Sequence, residues 1–184
     1  MEFLEACRKI IGIDSSPSAG TLEVTKFVES LATSLGLHAE LQTEAWNGVD
    51  QANVIVRPRA LKNPADVPEG EFVLQTHLDT PDPGPYALWK KTGANPFNAS
   101  IYQSPEGDRI YGLGSADVKL DFLCKLYAFA AVSNAVAAKS LSDSSNTWRV
   151  PPVLVGTYGE ELGMPGAVKL IRKKKIRPSA MLVG

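Results

Sequence analysis

The feature that most constrains the fold is an alternation of helix-like and strand-like segments. Four segments are typical of helices by apolar periodicity or by composition: 2–12, 21–35, 116–138 and 165–175. Short apolar or alternating runs predict strands between them: 37–41, 53–56, 72–74, 153–155 and 180–183. Because helices and strands alternate, we predict an α/β fold of three layers, with a mostly parallel central sheet and helices on both faces.

Composition and charge exclude several kinds of protein. Nineteen Lys and Arg stand against twenty Asp and Glu, a net charge of −1, which argues against a general nucleic-acid binder. The basic run 172–175 opposes the dipole at a helix end. No continuous apolar run reaches the roughly 18 residues of a membrane span, and the acids after Met1 are unlike a signal peptide. We therefore expect a cytoplasmic protein that binds neither nucleic acid nor membrane.

Some finer expectations concern single residues and connections. Thr21 can cap the helix that follows it, and Gly36 lies where a left-handed C-cap belongs. Cys7 and Cys124 fall among apolar neighbours, so two reduced, buried thiols are expected, with a disulfide left open. The long stretch 80–110 has no periodicity and is expected to be functional or disordered.

Polar residues follow two of the predicted strands and a further short run that begins at Ile110. Open α/β sheets bind ligands at such strand ends. His77 and Asp79 come after 72–74, Asp117 follows the glycine-rich run 112–114, and Glu160 with Glu161 comes after 153–155. A lone His near a strand end is more often structural than a ligand. Asp79 favours the ligand interpretation, because residues two apart in an extended chain face one side and a carboxylate can orient a metal-bound imidazole.

The acidic motifs at Asp117 and at Glu160–Glu161 each also allow an interpretation without a metal. Gly112 and Gly114 suggest a dinucleotide loop, but Asp117 replaces the third glycine and would repel a pyrophosphate. Asp117 can instead cap the next helix, or it can lie between two cations. Glu160 and Glu161 are either two solvated surface acids, or a metal ligand beside a general base.

The three motifs in this order resemble the zinc-dependent metallopeptidase family of aminoacylase, acetylornithine deacetylase, succinyl-diaminopimelate desuccinylase and glutamate carboxypeptidase. The matching stretches are Thr76-His77-Leu78-Asp79-Thr80, Gly112-Leu113-Gly114-Ser115-Ala116-Asp117-Val118-Lys119 and Gly159-Glu160-Glu161-Leu162-Gly163. Within the family, Trp89-Lys90-Lys91-Thr92-Gly93 with Asn95-Pro96-Phe97 is most similar to acetylornithine deacetylases. The resemblance implies a zinc exopeptidase-like catalytic domain.

The resemblance also implies a role for each site residue. His77 would bind one zinc, Asp117 would bridge two, and Glu161 would bind the second, with cobalt or manganese as alternative metals. Glu160 would be the general base and Asp79 would orient His77. The peptide after Asp117 is often cis in the family. The implied reaction is hydrolysis of an amide bond in an N-acyl amino acid or small peptide.

Family members are about twice as long as this chain. They continue with a further carboxylate ligand, a lid and dimerisation domain, and a last His ligand. We therefore expect residues 1–184 to be the N-terminal part of a catalytic domain, with an incomplete zinc set and exposed apolar area. Whether the chain is an enzyme by itself stays open. The alternative is a non-catalytic fragment that needs a complementary chain.

Overall fold

The computed structural model describes residues 1–61, 70–140 and 148–184. Its helices are α1 (Phe3–Gly12), α2 (Leu22–Ser34), α3 (Lys119–Ser140) and α4 (Pro165–Arg172). Its strands are β1 (Leu37–Trp46), β2 (Val49–Pro58), β3 (Glu71–His77), β4 (Ser100–Tyr102), β5 (Arg109–Tyr111), β6 (Pro152–Thr157) and β7 (Pro178–Val183). Two polar connections that the sequence indicates, 58–70 and the Ser-rich 139–146, lie partly outside the described residues.

Five strands form one sheet in the order β1-β2-β6-β3-β7. Strands β6, β3 and β7 are parallel, whereas β2 runs antiparallel to both β1 and β6. The β1–β2 hairpin turns at Asn47 and Gly48, which both have positive φ, as a two-residue hairpin turn requires. The α/β class is confirmed. The sheet is mixed because the hairpin adds antiparallel strands on one side.

The two faces of the sheet are covered unequally. Helices α1, α2 and α3 pack with one face into a large cluster of buried apolar side chains, which includes Ile10, Val28 and Phe122. The other face has a smaller cluster in which Leu170 of α4 and Ile176 contact strand residues. Helices therefore lie on both faces, as predicted, but among the described residues α4 alone covers the second face.

Helix α3 is long and apolar. It begins at Lys119, three residues later than predicted, and its most apolar window has a mean hydropathy of 1.3, so by length and composition it could cross a membrane. This corrects the expectation that no segment is long and apolar enough to span a membrane. In the folded chain Phe122, Leu123 and Leu126 of this helix are fully buried in the large cluster, and 33% of its most apolar window is buried.

The aperiodic stretch 80–110 is ordered by short local structures. It forms one-turn helices at Tyr86–Leu88 and Lys90–Thr92, followed by strand β4 and the start of β5, which pair with each other. The Trp89 indole donates a hydrogen bond of 2.7 Å to the carbonyl of Pro83. These contacts join residues that are close in sequence. They therefore leave no periodic pattern of apolar residues in the sequence.

Two local predictions about side chains are wrong. The Thr21 hydroxyl does not cap α2; it donates to Gln51 and to the carbonyl of Ala52 instead. Both cysteines are free thiols, and Cys7 is buried as expected, but Cys124 is exposed. Gly36, by contrast, has a φ of +83°, as its predicted place after α2 requires.

The exposure of the thiols predicts their reactivity. In the native protein Cys124 should react quickly with a thiol reagent, whereas Cys7 should be protected, because burial both shields Cys7 and raises its pKa. Labelling followed by mass spectrometry should find one modified thiol before unfolding and two after it. A Cys124→Ser variant should show none before unfolding; two fast thiols in the native wild type would contradict the structure.

A buried ion pair joins β2 to the start of β3. Arg57 and Glu71 are each 1% exposed, with Nε and Oε1 2.7 Å apart. Arg57 also donates to the carbonyl of Lys175, and Glu71 accepts the backbone N–H of Arg177. The pair therefore anchors the segment between α4 and β7 to the sheet.

Removing one partner of this ion pair should lower the free energy of unfolding considerably. Glu71→Gln leaves the Arg57 guanidinium buried without its counter-charge, so we expect a loss of about 3–5 kcal/mol in the free energy of unfolding. Urea unfolding followed by circular dichroism measures this loss. The control is Glu23→Gln, which breaks the exposed Glu23–Lys26 pair and should cost about 0.5 kcal/mol or less. Similar losses in both variants would refute the role given to the buried pair.

Candidate functional site

The candidate site is centred on His77, the last residue of β3. Its side chain is 7% exposed and lies between two carboxylate residues. Nδ1 lies 3.0 Å from the backbone carbonyl oxygen of Asp79, and Nε2 lies 3.0 Å from Oδ1 of Asp117. Because the carbonyl can only accept, Nδ1 carries a proton, and in the neutral imidazole the Nε2 lone pair faces Asp117.

Asp79 connects His77 to the segment after β6. Its Oδ2 accepts the backbone N–H of Glu161 at 3.0 Å, and its Oδ1 lies 3.6 Å from Nδ1 of His77. That Oδ1 is buried without a hydrogen-bond partner among the described residues. Strands β3 and β6 are parallel neighbours and end at the same edge of the sheet. The carboxylate of Asp79, just after β3, therefore links the ends of both strands.

Asp117 reaches the site from the turn before α3. Its side chain is 74% exposed, and the Asp117–Val118 peptide is cis, as the sequence resemblance implied. Lys119, two residues on, is fully buried and donates to the carbonyl of Ile13 at 2.6 Å. Burial lowers the pKa of Lys119 to about 8, against the opposing charge of Asp14.

The loop between α1 and α2 supports two of these segments. Ser15 is fully buried; its hydroxyl donates to the carbonyl of Leu78 at 2.8 Å, and its own carbonyl accepts the N–H of Thr80 at 3.1 Å. Together with the contact between Lys119 and Ile13, this loop braces the segments that carry His77 and Asp117. The sequence analysis missed Ser15, because a serine in a polar loop gives no signal of such long-range contacts.

Glu160 and Glu161 lie in a one-turn helix between two glycines of positive φ, Gly159 and Gly163. At Gly159 a β-carbon would also come within 2.7 Å of the Pro165 ring, so the tight approach of this turn to α4 requires glycine. Both glutamate side chains are exposed at the edge of the sheet. The turn therefore presents two carboxylates near His77.

The charges of these groups influence one another. Burial disfavours the charged form of His77, but Asp79 and Asp117 outweigh that effect and raise the pKa of His77 to about 9. Partial burial, followed by the negative charges of Asp117 and Glu160, raises the pKa of Glu161. The carboxylates thus carry mutually repulsive charge that a bound cation would relieve.

A groove of about 550 Å³ opens beside the site, between α4 and β7. His77, Asp117 and Glu160 lie among the residues that line it. The rest of the lining is largely apolar and includes Val73, Val155, Leu170, Ile171 and Met181. The groove therefore combines an apolar channel with a polar end.

The donor atoms fit a divalent cation only in part. Two ligands of one tetrahedral zinc, each about 2 Å from it, are roughly 3.3 Å apart, and Nε2 of His77 lies 3.0 Å from Oδ1 of Asp117. These two atoms can share one ion. Within residues 1–61, 70–140 and 148–184, however, no group of three or more His, Cys, Asp or Glu side chains is arranged to hold a metal. Glu161 contacts the cluster through its backbone N–H.

The α/β fold of the chain is similar to that of a solved metallo-carboxypeptidase. It superimposes over its entire length on an M20 family metallo-carboxypeptidase, Sso-CP2 from Sulfolobus solfataricus, with a TM-score of 0.66 and 19% sequence identity. The chain spans 37% of that protein's length. No family model matches the sequence, and no curated protein does either. The likeness therefore establishes the fold.

The contacts of His77 predict a pH dependence in the metal-free protein. Its folded pKa of about 9 exceeds the unfolded value of about 6.5. The stability it contributes is therefore fully present below about pH 6.5 and is lost as the pH rises through 9. Asp79→Asn should lower the pKa of His77 and shrink this loss. NMR titration of the imidazole measures the pKa of His77 in both proteins. An unchanged His77 titration would contradict the role of Asp79.

Proposed function

We propose that this chain carries the catalytic centre of a metal-dependent hydrolase of amide bonds, acting on an N-acyl amino acid or a small peptide. The observation that carries this proposal is the cluster at the polar end of the groove. An imidazole is held between Asp79 and Asp117 there, with Glu160 lining the same groove. The fold it shares with a metallo-carboxypeptidase supports the proposal.

In this proposal His77 and Asp117 would hold one divalent ion, and Asp117 and Glu161 would hold a second. Both ions would be zinc, with cobalt or manganese as substitutes. A bound divalent cation would supply Lewis acidity and lower the pKa of a water molecule at the site. Asp79 keeps the His77 ring oriented, because its backbone carbonyl fixes the proton on Nδ1 and leaves Nε2 facing the site. The exposed side chain of Asp117 can contact a second ion without leaving His77.

Glu160 is the proposed general base. It lines the groove with His77 and Asp117, and Glu161 beside it is tied to Asp79 through the backbone. Its carboxylate would take a proton from the attacking water and return that proton to the nitrogen of the leaving amine. The products would be a carboxylic acid and an amine, which balances the reaction for an amide substrate and one water.

The finer proposal is a substrate resembling that of acetylornithine deacetylases. It is supported by the sequence likeness at residues 89–93 and by where that segment lies. Trp89, Lys90 and Lys91 line a hollow of about 240 Å³ together with Gly112 and Ser115. Ser115 is two residues from Asp117 in the chain, and the proposal gives this segment the role of contacting the substrate.

A second candidate is a partner-dependent role. The described residues bring together fewer than three metal-binding side chains, and a catalytic zinc site has three protein ligands. A complementary chain would then complete the ligand set, and this chain alone would bind metal weakly and lack turnover. The two candidates differ in zinc stoichiometry and in hydrolysis of N-acetyl amino acids by the isolated chain.

The assignment of Glu160 can be tested by Glu160→Gln. This isosteric change should lower amide hydrolysis by roughly 10²–10⁴-fold, because it removes the proton acceptor, while zinc binding by equilibrium dialysis stays intact. Glu106→Gln, at an exposed carboxylate paired with Arg109, is the matched control and should change neither. Equal activity of Glu160→Gln and wild type would refute the base. No turnover in the wild type, alone and with zinc, would favour the partner-dependent role.

A further inference from the structure

A polar cluster lies on the face of β3 opposite the candidate site. Neighbouring residues of a strand point to opposite faces of the sheet, and Val73, Gln75 and His77 line the groove. Thr76 therefore points to the face that α3 covers, and it is fully buried there. Its hydroxyl donates a hydrogen bond of 2.7 Å to Oδ2 of Asp121, in the first turn of α3. A buried hydroxyl thus joins the end of β3 to the start of α3.

Lys125, one helical turn after Asp121, completes this cluster. Its Nζ lies 2.6 Å from the same Oδ2 and donates to the Thr76 hydroxyl at 2.9 Å and to the carbonyl of Gln75 at 3.3 Å. The Lys125 side chain is only 14% exposed. Gly184 packs against both charged groups, because a β-carbon at Gly184 would come within 2.6 Å of Oδ2 of Asp121. These contacts are therefore better shielded from water than those of an exposed i,i+4 pair.

The two aspartates at the start of α3 meet β3 from opposite faces. Asp117 reaches His77 on the groove side, with its Oδ1 3.0 Å from Nε2. Asp121, four positions later, accepts the hydrogen bond of Thr76 on the other side. The segment between them therefore crosses from one face to the other at the carboxyl end of β3. Because Thr76 and His77 are adjacent, a bond that fixes Thr76 relative to Asp121 also limits how far His77 can move from Asp117.

We propose that Asp121 is a positioning residue, which acts through Thr76 to set the geometry of the pair formed by His77 and Asp117. Among the described residues its side chain bonds to Thr76 and Lys125, and to neither member of that pair. This role rests on the proposed function, because the pair would hold one of the two metal ions. The sequence analysis did not single out Asp121, since one carboxylate in a helix gives no signal of a bond across 45 positions.

The first test separates the hydrogen bond of Asp121 from its charge. Asp121→Ala removes the acceptor for Thr76, whereas Asp121→Asn can place its amide oxygen where Oδ2 lies and keep the bond. Zinc affinity of the chain, measured by equilibrium dialysis, should fall roughly 10–100-fold in Asp121→Ala and stay near the wild-type value in Asp121→Asn. Thr76→Val removes the donor of the same bond and should weaken zinc binding as Asp121→Ala does.

The second test needs no metal. The ring ¹⁵N shifts of His77, measured at a fixed pH, report whether Nε2 is hydrogen-bonded to Asp117. We expect shifted ring resonances in Asp121→Ala and Thr76→Val, and wild-type resonances in Asp121→Asn. Glu5→Ala is the matched control, because it breaks another i,i+4 pair, Glu5–Lys9 on α1; it should change neither the ring shifts nor the zinc affinity. Circular dichroism establishes that each variant is folded.

The outcomes separate this role from the proposed function. Changed His77 resonances in the folded Asp121→Ala and Thr76→Val variants, with wild-type resonances in Asp121→Asn, support the positioning role. Wild-type resonances in either of the first two variants overturn it, and so does a change in Asp121→Asn equal to that in Asp121→Ala. Should Asp121→Ala not fold, Thr76→Val decides. A wild-type chain that binds no zinc would refute the proposed function, and the ring shifts would still decide the role of Asp121.

Discussion

The arrangement of the site depends on two groups of Asp79, its backbone carbonyl and its carboxylate. This residue holds the His77 ring through its backbone carbonyl and the Glu160–Leu162 turn through Oδ2. The two segments are far apart in sequence but finish side by side, because β3 and β6 are parallel neighbours. With Asp79 in place, His77 can meet Asp117 at a distance that one metal ion can bridge. Burial disfavours the charged form of His77, but Asp79 and Asp117 outweigh it and raise the pKa of His77. Burial, and after it the charges of Asp117 and Glu160, raises the pKa of Glu161.

Much of the fold was predictable because the spacing of apolar residues in the sequence reflects which side chains are buried. The helices and the strands of the main sheet follow from periodicity and short apolar runs, and their bounds differ by a few residues. The meeting of His77 and Asp79 with the Glu160–Glu161 turn at one end of the sheet followed from the rule on strand ends. Asp117 did not, because it follows β5, which belongs to a separate two-stranded sheet. Their chemical roles remain predictions, since the structural likeness establishes the fold and no more.

The parts that were not predictable depend on contacts distant in sequence. Thr21 bonds to Gln51 and Ala52 on a neighbouring strand, and no local pattern distinguishes this from a helix cap. Cys124 lies on the exposed side of a helix that is apolar on most sides, so composition gave no indication of its orientation. The mixed sheet arises from the hairpin at Asn47 and Gly48, because its second strand, β2, pairs antiparallel with β6.

The loop between α1 and α2 has a consequence for how the chain acquires its site. Ser15 contacts the segment of His77 across 63 positions, and Ile13 accepts the Lys119 side chain across 106. Contacts of this sequence separation form late, because a long loop must close before they gain anything. The amino-terminal helices must therefore be docked for the segments that carry His77 and Asp117 to be fixed. The geometry of this cluster is thus a property of the assembled domain, and a short peptide containing His77 and Asp79 would not reproduce it.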